Sequence, residues 1–354
     1  MPPDPAKFYS TTRAARKIIV VDLGFLGDTV HLVPALWEIK QNYPAARLEV
    51  LTSPVGAEVL ALAPCVDGAW ALDMHPKTRT LKQQWQILRG LWRERFEVAF
   101  NFSGADRTIF MTALTLARWR VAHPGGRQHF WNSWLIPYWI PRQDRDLIVF
   151  EQRRRMLAEC GVPLGKARFD LKVSDADQAW AAQIVPSPAI HLSLNASKPT
   201  HEWPLEHHAQ MLRSVWAKYP QLIVMATAGE MERERTRVNK LTELLKDSRF
   251  YPLVEPITIA RLCAILKRCR LHIGPDSGVI HLAMALDVPT ISFFREQGAY
   301  KSFVPCGPKH RVLSRPCRCI DHRDAPCEAT GRAECIATIE PQEVADLVIQ
   351  RQSQ

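Results

Sequence analysis

Apolar residues in this chain fall into short β-branched runs that alternate with longer stretches of helical spacing. After residue 16 the pattern predicts strands at 17–23, 47–51, 97–102 and 120–122, with helices at 28–43, 78–95 and 106–117. Near-continuous apolar strands that alternate with helices are typical of a parallel sheet covered on both faces. The first part of the chain is therefore predicted to be a doubly wound α/β domain.

The alternation loosens between residues 161 and 188, where glycine and proline are frequent, and then restarts. Strands are predicted at 189–194, 222–227, 271–274 and 290–294, with helices at 175–183, 205–218, 231–246, 258–269 and 277–287. We predict five segments: a flexible tail at 1–16, a Rossmann-like domain at 17–165, a linker region at 166–188, a second Rossmann-like domain at 189–340 and a C-terminal helix at 341–354. Two such domains commonly bind a ligand in the cleft between them.

Composition and length agree with this organisation. A chain of 354 residues is long enough for two or three domains. Its hydrophobic fraction of 47% and charged fraction of 23% exclude wholesale disorder. No uncharged apolar run approaches the ~20 residues that a membrane-spanning helix needs. Asp22 interrupts the apolar run 18–21 too soon for a signal peptide, so we expect a cytoplasmic protein.

The formal net charge is +10, and basic residues concentrate in two places. One is the stretch 77–95 and the other is Arg153–Arg155. Such clusters are either solvated helix faces or surfaces for an anionic membrane or a phosphorylated substrate. We expect no nucleic-acid partner, because no zinc finger, RNA-binding aromatic pair or basic recognition helix is present.

The first strand is followed by a turn that contains Gly24 and Gly27, and Asp28 stands where the next helix is predicted to begin. This spacing matches neither the dinucleotide fingerprint nor a P-loop. One interpretation is an N-cap, in which the Asp28 carboxylate accepts backbone N–H groups. The other is a general base at the carboxyl end of the strand, where open α/β sheets bind their ligands.

Two segments of the second domain have the composition of an anion site. Asp276, Ser277 and Gly278 again follow a strand and open a helix, where free N–H groups favour a diphosphate. His281 lies one turn further and is either a packed histidine or a ligand-binding group. The loop 195–204 carries Ser197, Lys198 and His201 and is either an ordinary surface loop or a phosphate contact.

Together these segments resemble the ADP-heptose:lipopolysaccharide heptosyltransferases, glycosyltransferase family 9. The resemblance rests on the Gly27-Asp28 turn followed by Pro34-Ala35-Leu36, the pair Trp203-Pro204, and Asp276-Ser277-Gly278 with His281-Leu282. It extends over nearly the whole chain from Lys17. It implies the GT-B architecture, in which two Rossmann-like domains face each other across a cleft and the C-terminal helix often packs back on the first domain.

The resemblance also implies a mechanism. The first domain would bind the acceptor and the second the nucleotide sugar, with Asp28 as general base in an inverting transfer that requires no metal. Heptose would pass from ADP-heptose to a lipid-linked or phosphorylated lipopolysaccharide core acceptor at the inner membrane. The donor would be held by Ser197, Lys198, His201, Asp276, Ser277, Gly278 and His281, with Glu230 or Glu232 on the ribose. His201 stands where family members often carry a lysine.

Four cysteines crowd the segment 317–335: Cys317, Cys319, Cys327 and Cys335. Four thiolates can hold a structural zinc or iron, although the spacing lacks the usual C-x2-C pairs. Free thiols in a loop are the alternative, and without an export signal we expect reduced cysteines. A second cluster contains Trp131, Trp134, Tyr138 and Trp139. It is either core packing or a patch for the membrane interface.

Three other functions remain open at this point, and one of them is a basic scaffold that binds the membrane surface. The acceptor would be a protein in an autotransporter-type heptosyltransferase, in which the cysteine tail would be an iron site. On the same scaffold, a non-catalytic protein that binds a nucleotide or sugar would use Asp28 only as a cap.

Overall fold

The computed structural model describes residues 4–74, 80–123, 132–140, 146–185, 189–296, 300–316, 327 and 330–352. The chain forms two compact units, Met1–Lys172 and Val173–Gln354. Within the described residues, no helix has the length and apolar character required to cross a lipid bilayer.

The first unit is built on a parallel six-stranded sheet of order β3-β2-β1-β4-β5-β6. Its strands are β1 Lys17–Val21, β2 Arg47–Thr52, β3 Gly68–Ala71, β4 Val98–Asn101, β5 Trp119–Ala122 and β6 Tyr138–Trp139. Its helices are α1 Phe8–Thr12, α2 Leu26–Asn42, α3 Pro54–Leu60, α4 Leu81–Glu94, α5 Asp106–Leu114, α6 Asn132–Leu135 and α7 Val149–Glu159. The central strands β1 and β4 are buried along almost their whole length because helices cover the sheet.

The second unit repeats this plan with the order β12-β11-β10-β7-β8-β9. Its strands are β7 Ala189–Ser193, β8 Ile223–Thr227, β9 Phe250–Leu253, β10 His272–Pro275, β11 Thr290–Phe293 and β12 His310–Leu313. Its helices are α8 Asp175–Ile184, α9 Leu205–Lys218, α10 Glu232–Leu245, α11 Ile259–Arg268, α12 Gly278–Ala285, α13 Glu334–Ala337 and α14 Pro341–Gln352. Numbered within its own unit, each sheet has the order 3-2-1-4-5-6 of dinucleotide-binding folds.

The hydrophobic pattern located the interior strands and missed the edges. All eight predicted strands exist, and they are the eight interior strands of the two sheets. The four strands without a prediction are β3, β6, β9 and β12, which are the edge strands. Strand β3, for example, alternates between half-buried and exposed positions, so its sequence lacks a continuous apolar run.

The N-terminal segment is not the flexible tail that we expected. Residues Pro5–Lys7 form a 3-10 turn and Phe8–Thr12 form α1. The Phe8 side chain is fully buried, and its ring meets those of Phe100 and Tyr138 at centroid distances of 5.5 and 5.0 Å. The Tyr9 N–H also donates to the Cys160 carbonyl at 3.0 Å, and buried Thr12 hydrogen-bonds the Tyr43 hydroxyl at 2.8 Å. These contacts anchor the segment, and periodicity over so few residues does not reveal them.

The predicted linker 166–188 is also not a separate segment. The first unit extends to Lys172, whose N–H donates to the Leu62 carbonyl at 2.7 Å. Helix α8, which begins at Asp175, packs against α11 of the second unit. The division between the units therefore falls within the predicted linker, in the region where glycine and proline are frequent.

The C-terminal helix α14 belongs to the second unit and packs along α9. Buried Val344 and Val348 join its core, and the Trp203 indole N–H donates to the Ile339 carbonyl at 3.1 Å. Its apolar face completes the core of its own unit. The packing on the first domain that the resemblance implies stays a prediction.

Candidate active site

Both sheets place their candidate motifs at the point where the strand order reverses. In the first unit this point lies between β1 and β4, and the Gly24–Asp28 turn follows β1. In the second it lies between β7 and β10, which precede the loop 195–204 and the turn at Asp276. Open α/β sheets bind ligands outside the carboxyl ends of the strands at such switch points.

Asp28 is the third residue of α2 rather than its N-cap, which is Phe25. Its carboxylate Oδ2 nevertheless accepts the Phe25 N–H at 2.9 Å, so the capping interpretation holds in part. Burial raises the pKa of Asp28 above the usual carboxyl value, and nearby Asp22 raises it further. Arg153 and the Phe25 N–H act in the opposite direction. A partly buried carboxylate with a raised pKa is a stronger base, as proton abstraction requires.

Gly24 is required by the close approach of Asp28. A Cβ at Gly24 would lie 2.5 Å from the Asp28 Cβ and 2.9 Å from Asp22 Oδ1. Gly27 is buried in the first turn of α2. The two glycines predicted for the turn thus lie directly around the carboxylate.

A buried arginine from α7 supports this turn. The Arg153 guanidinium pairs with Asp22 at 2.7 Å and also donates to the backbone carbonyl of Asp28. Asp22 in turn accepts the Gly24 N–H at 2.9 Å. The prediction of solvated faces or anion-binding surfaces for the arginine cluster is wrong for Arg153 and for Arg154, which pairs with Glu38 of α2. Helix α7 is not among the helices that the apolar pattern predicts.

In the second unit, Asp276 is the centre of a polar cluster. Its carboxylate lies 3.7 Å from His201 Nδ1 and 3.9 Å from His281 Nε2. Residues Asp276, Ser277 and Gly278 are partly exposed at the start of α12. The Ser277 Oγ is buried and has no hydrogen-bond partner among the described residues. The same is true of the Asn195 Oδ1, which follows β7. Because buried polar atoms are normally hydrogen-bonded, unsatisfied ones at a switch point indicate a site for a polar ligand.

His281 is neutral at physiological pH. Desolvation in its buried position lowers its pKa to about 4, although the negative charge of Asp276 acts in the opposite direction. Its ring also meets that of Phe303 at a centroid distance of 5.7 Å. The structure therefore shows a packed histidine beside Asp276, and not a cation.

The loop 195–204 is held by an ion-pair network that sequence reasoning missed. The buried Glu202 carboxylate accepts the Ala196 N–H at 3.1 Å and contacts Arg233 at 2.6 Å and Arg237 at 3.2 Å. Arg233 also donates to the Ala196 carbonyl at 2.8 Å. The spacing of Arg233 and Arg237, at i and i+4 on α10, is the sequence feature that could have indicated a shared acidic partner. On this loop His201 lies 3.7 Å from Asp276, and Ser197 and Lys198 are exposed.

Replacing Glu202 by glutamine is expected to destabilise the second unit by about 3 kcal/mol, because two arginines then lose their counter-charge in a partly buried site. For a unit of this size, thermal unfolding should shift down by roughly 6–12 °C. The matched control is Glu243→Gln on the exposed side of α10. Equal melting temperatures for the two variants would contradict the stabilising role of the Glu202 ion pairs.

The acidic residues after β8 divide into two groups. Glu230 and Glu232 are exposed. Glu234 is half-buried and packs so closely on Gly229 that a Cβ there would lie 2.1 Å from its Oε2. Burial raises the pKa of Glu234. The structure thus brings Glu234, which we did not predict, against the end of the strand.

The predicted metal ligands Cys317 and Cys319 lie outside the described residues. Cys327 and Cys335 are buried, and Cys327 is disulfide-bonded, whereas we expected reduced cysteines. Among the residues that the structure describes, no group of three or more His, Cys, Asp or Glu side chains has the arrangement of a metal site. A disulfide sulfur is not a thiolate ligand, so the structural metal stays a prediction that requires reduced Cys327.

Some residues of the aromatic cluster 131–139 pack in the core and others are exposed, as a patch for the membrane interface would require. Tyr138 is buried, and Trp139 packs on the small cluster of Ile109, Ala122 and Ile136. Trp134 is 82% exposed, and Trp131 lies outside the described residues. Most of the described part is therefore core.

Comparison with known proteins agrees with this geometry. The model of glycosyltransferase family 9 (heptosyltransferase) matches residues 85–331. The lipopolysaccharide core heptosyltransferase OpsX of Haemophilus influenzae is 22% identical over 294 residues, which cover 80% of each chain. The solved ADP-heptose lipopolysaccharide heptosyltransferase II of E. coli superposes with a TM-score of 0.75 at 17% identity, covering 96% of this chain and 99% of that one. E. coli heptosyltransferase WaaC with ADP-2-deoxy-2-fluoro heptose gives a TM-score of 0.69 at 15% identity, with coverage of 95% and 99%.

The family match covers more than half of the chain, and the two Rossmann-like sheets confirm the predicted fold class. The chain therefore belongs to glycosyltransferase family 9, the heptosyltransferase family, and is a glycosyltransferase with the GT-B fold.

Proposed function

We propose that this enzyme transfers heptose from ADP-heptose to a lipopolysaccharide core acceptor, with inversion at the anomeric carbon and Asp28 as general base. The observation that carries the proposal is the partly exposed Asp28 carboxylate, with its raised pKa, at the switch point of the first sheet. Two relatives support the donor and acceptor: one is a lipopolysaccharide core heptosyltransferase, and one was solved with ADP-2-deoxy-2-fluoro heptose.

In the proposed step the Asp28 carboxylate takes the proton of an acceptor hydroxyl. The hydroxyl oxygen then forms a bond to the anomeric carbon of the donor, and the bond from that carbon to the β-phosphate oxygen breaks. ADP leaves with the electron pair. Displacement from the opposite face accounts for the inversion.

The leaving diphosphate gathers negative charge, which preorganised donors stabilise. We assign this role to the backbone amides at the start of α12, to the buried Ser277 hydroxyl and to Ser197 and Lys198 on the loop. The helix dipole of α12 favours an anion at this end. We propose that Asp276 and His201 contact the donor sugar or its phosphates, and that His281 positions Asp276. Glu230 remains our candidate for the ribose hydroxyls.

We further propose that catalysis requires no metal and no organic cofactor, and that any zinc or iron at the cysteine tail is structural. Because the acceptor is lipid-linked or phosphorylated, we also propose that the enzyme is cytoplasmic and associates peripherally with the inner membrane.

The first experiment is calorimetric titration with ADP, UDP, GDP and CDP, followed by transfer assays with ADP-heptose and a heptose-free core acceptor. We expect selective ADP binding and transfer activity that EDTA leaves unchanged. Preference for another nucleotide would show that the donor is not ADP-heptose. Loss of turnover in EDTA would overturn the metal-free mechanism. Binding without turnover would favour the non-catalytic alternative.

A further inference from the structure

Helix α4 carries an apolar ridge that faces solvent. Leu81 is 86% exposed and Trp85 is 57% exposed, and Trp92 follows at seven residues from Trp85. Spacings of four and seven residues place the three side chains along one side of a helix. The rings of Trp85 and Trp92 meet edge to face at a centroid distance of 5.4 Å. We call Leu81, Trp85 and Trp92 the α4 ridge.

The core of the first unit does not account for this ridge. Helix α4 packs on that core through buried Leu91 and partly buried Ile87 and Leu88, whose directions are centred roughly 90° around the helix axis from the ridge. Gly90 lies against the Trp70 ring. A helix needs one apolar face to pack on its domain, so large apolar side chains that extend beyond that face into solvent are typical of an interaction surface.

The ridge continues onto the end of α5. The Trp92 indole N–H donates to the Leu114 carbonyl at 2.7 Å. Leu114 is 38% exposed and Leu116 is 68% exposed. Leu116 also has φ +57°, a left-handed conformation that a leucine rarely adopts. The chain thus holds a strained backbone where it presents a large apolar side chain to solvent.

A basic stripe borders the ridge. At 100° per residue, Lys82, Arg89 and Arg93 share one side of α4, adjacent to that of Leu81 and Trp85. All three basic side chains are exposed. The one acidic residue of this helix, Glu94, is engaged by Lys17 at 2.9 Å. Leucine and tryptophan beside lysine and arginine are the composition of helices that lie in the interface of an anionic bilayer.

We propose that the α4 ridge, with Leu114, Leu116 and the basic stripe, docks the first unit on the surface of an anionic lipid bilayer. The tryptophans enter the headgroup region, and the basic side chains contact lipid phosphates. This inference deepens the proposed peripheral association. Its test needs neither donor nor acceptor, so it succeeds or fails separately from the transfer reaction.

The test is co-sedimentation of the full-length protein with phosphatidylcholine vesicles, with and without phosphatidylglycerol. We expect binding to the anionic vesicles that weakens with added salt. The triple variant Lys82→Glu, Arg89→Glu and Arg93→Glu should lose at least about 100-fold in affinity. Trp85→Ala, which keeps the charge, should lose roughly tenfold.

The matched control is the triple variant Lys218→Glu, Lys240→Glu and Lys267→Glu, which changes the net charge equally on exposed helix positions of the second unit. It should bind almost as well as the wild type. Equal losses in the two triple variants would overturn the proposed location, and wild-type affinity in Trp85→Ala would overturn the apolar contribution. Absence of wild-type binding to anionic vesicles would overturn the proposal. Circular dichroism of each variant verifies that it is folded.

Discussion

Replacing Asp28 by asparagine is expected to lower the rate of heptose transfer by about 10²–10⁴-fold, the usual contribution of a general base. Asparagine has the same shape, and its side-chain oxygen can still accept the Phe25 N–H that starts α2. The helix should therefore remain intact. The proposed ADP contacts lie in the other unit, so ADP affinity measured by calorimetry should remain close to that of the wild type.

The pH profile separates a base from a helix cap. Because burial raises the pKa of Asp28, the acid limb of kcat/KM should lie above the ordinary carboxyl range in the wild type. That limb should disappear from the residual activity of Asp28→Asn. The control is Asp106→Asn, which removes an exposed carboxylate from the first turn of α5 in the same unit. Equal transfer rates in wild type and Asp28→Asn would refute the assignment.

The second unit is expected to lose about 5 kcal/mol of stability between pH 7.5 and pH 5.5. Four buried histidines have lowered pKa values through desolvation: His191 at about 3, His281 at about 4, and His208 and His272 well below the ordinary value of 6.5. Below pH 6.5 the unfolded chain therefore binds more protons than the folded one. Above pH 6.5 the neutral imidazoles make their full contribution to the free energy of unfolding. Below it, this free energy falls by about 1.4 kcal/mol per histidine for each pH unit.

The pair His191 and His272 shows why protonation is costly. The two residues are register partners on β7 and β10, and their Nδ1 atoms lie 2.8 Å apart. One ring must donate and the other accept, while His191 Nε2 is occupied by Thr227 at 3.0 Å. A proton on both Nδ1 atoms would oppose two N–H groups inside the sheet.

Native-state hydrogen exchange measures this loss, because peptides from 189–296 report on the second unit alone. The variant His191→Gln removes one titrating group and should reduce the loss between the two pH values by about a quarter. Protection factors that do not change with pH would show that folding does not lower the pKa values of these imidazoles. An unchanged slope in the variant would show that His191 does not contribute to the loss.

The sequence alone located much of the candidate site. Asp28 and the Asp276–Gly278 turn follow interior strands, and the order of strand, turn and helix is a local pattern. Since carboxyl ends of parallel strands meet at one edge of a sheet, that pattern also predicted the position of the ligand site. The residues that support the site were missed, since their partners are remote: Arg153 and Asp28 are 125 positions apart.

What the sequence determined by itself are the two α/β domains, their eight interior strands and the turns that carry Asp28 and Asp276. These features depend on continuous apolar runs and turn residues, which act within a few positions of the chain. The tertiary structure alone decided the four edge strands, the docking of Phe8, the placement of α14 and the buried partners Arg153 and Glu202. Edge strands pair on one side only, and buried ion pairs are stable only beside their partners. Their free energy therefore arises from residues that no local pattern contains.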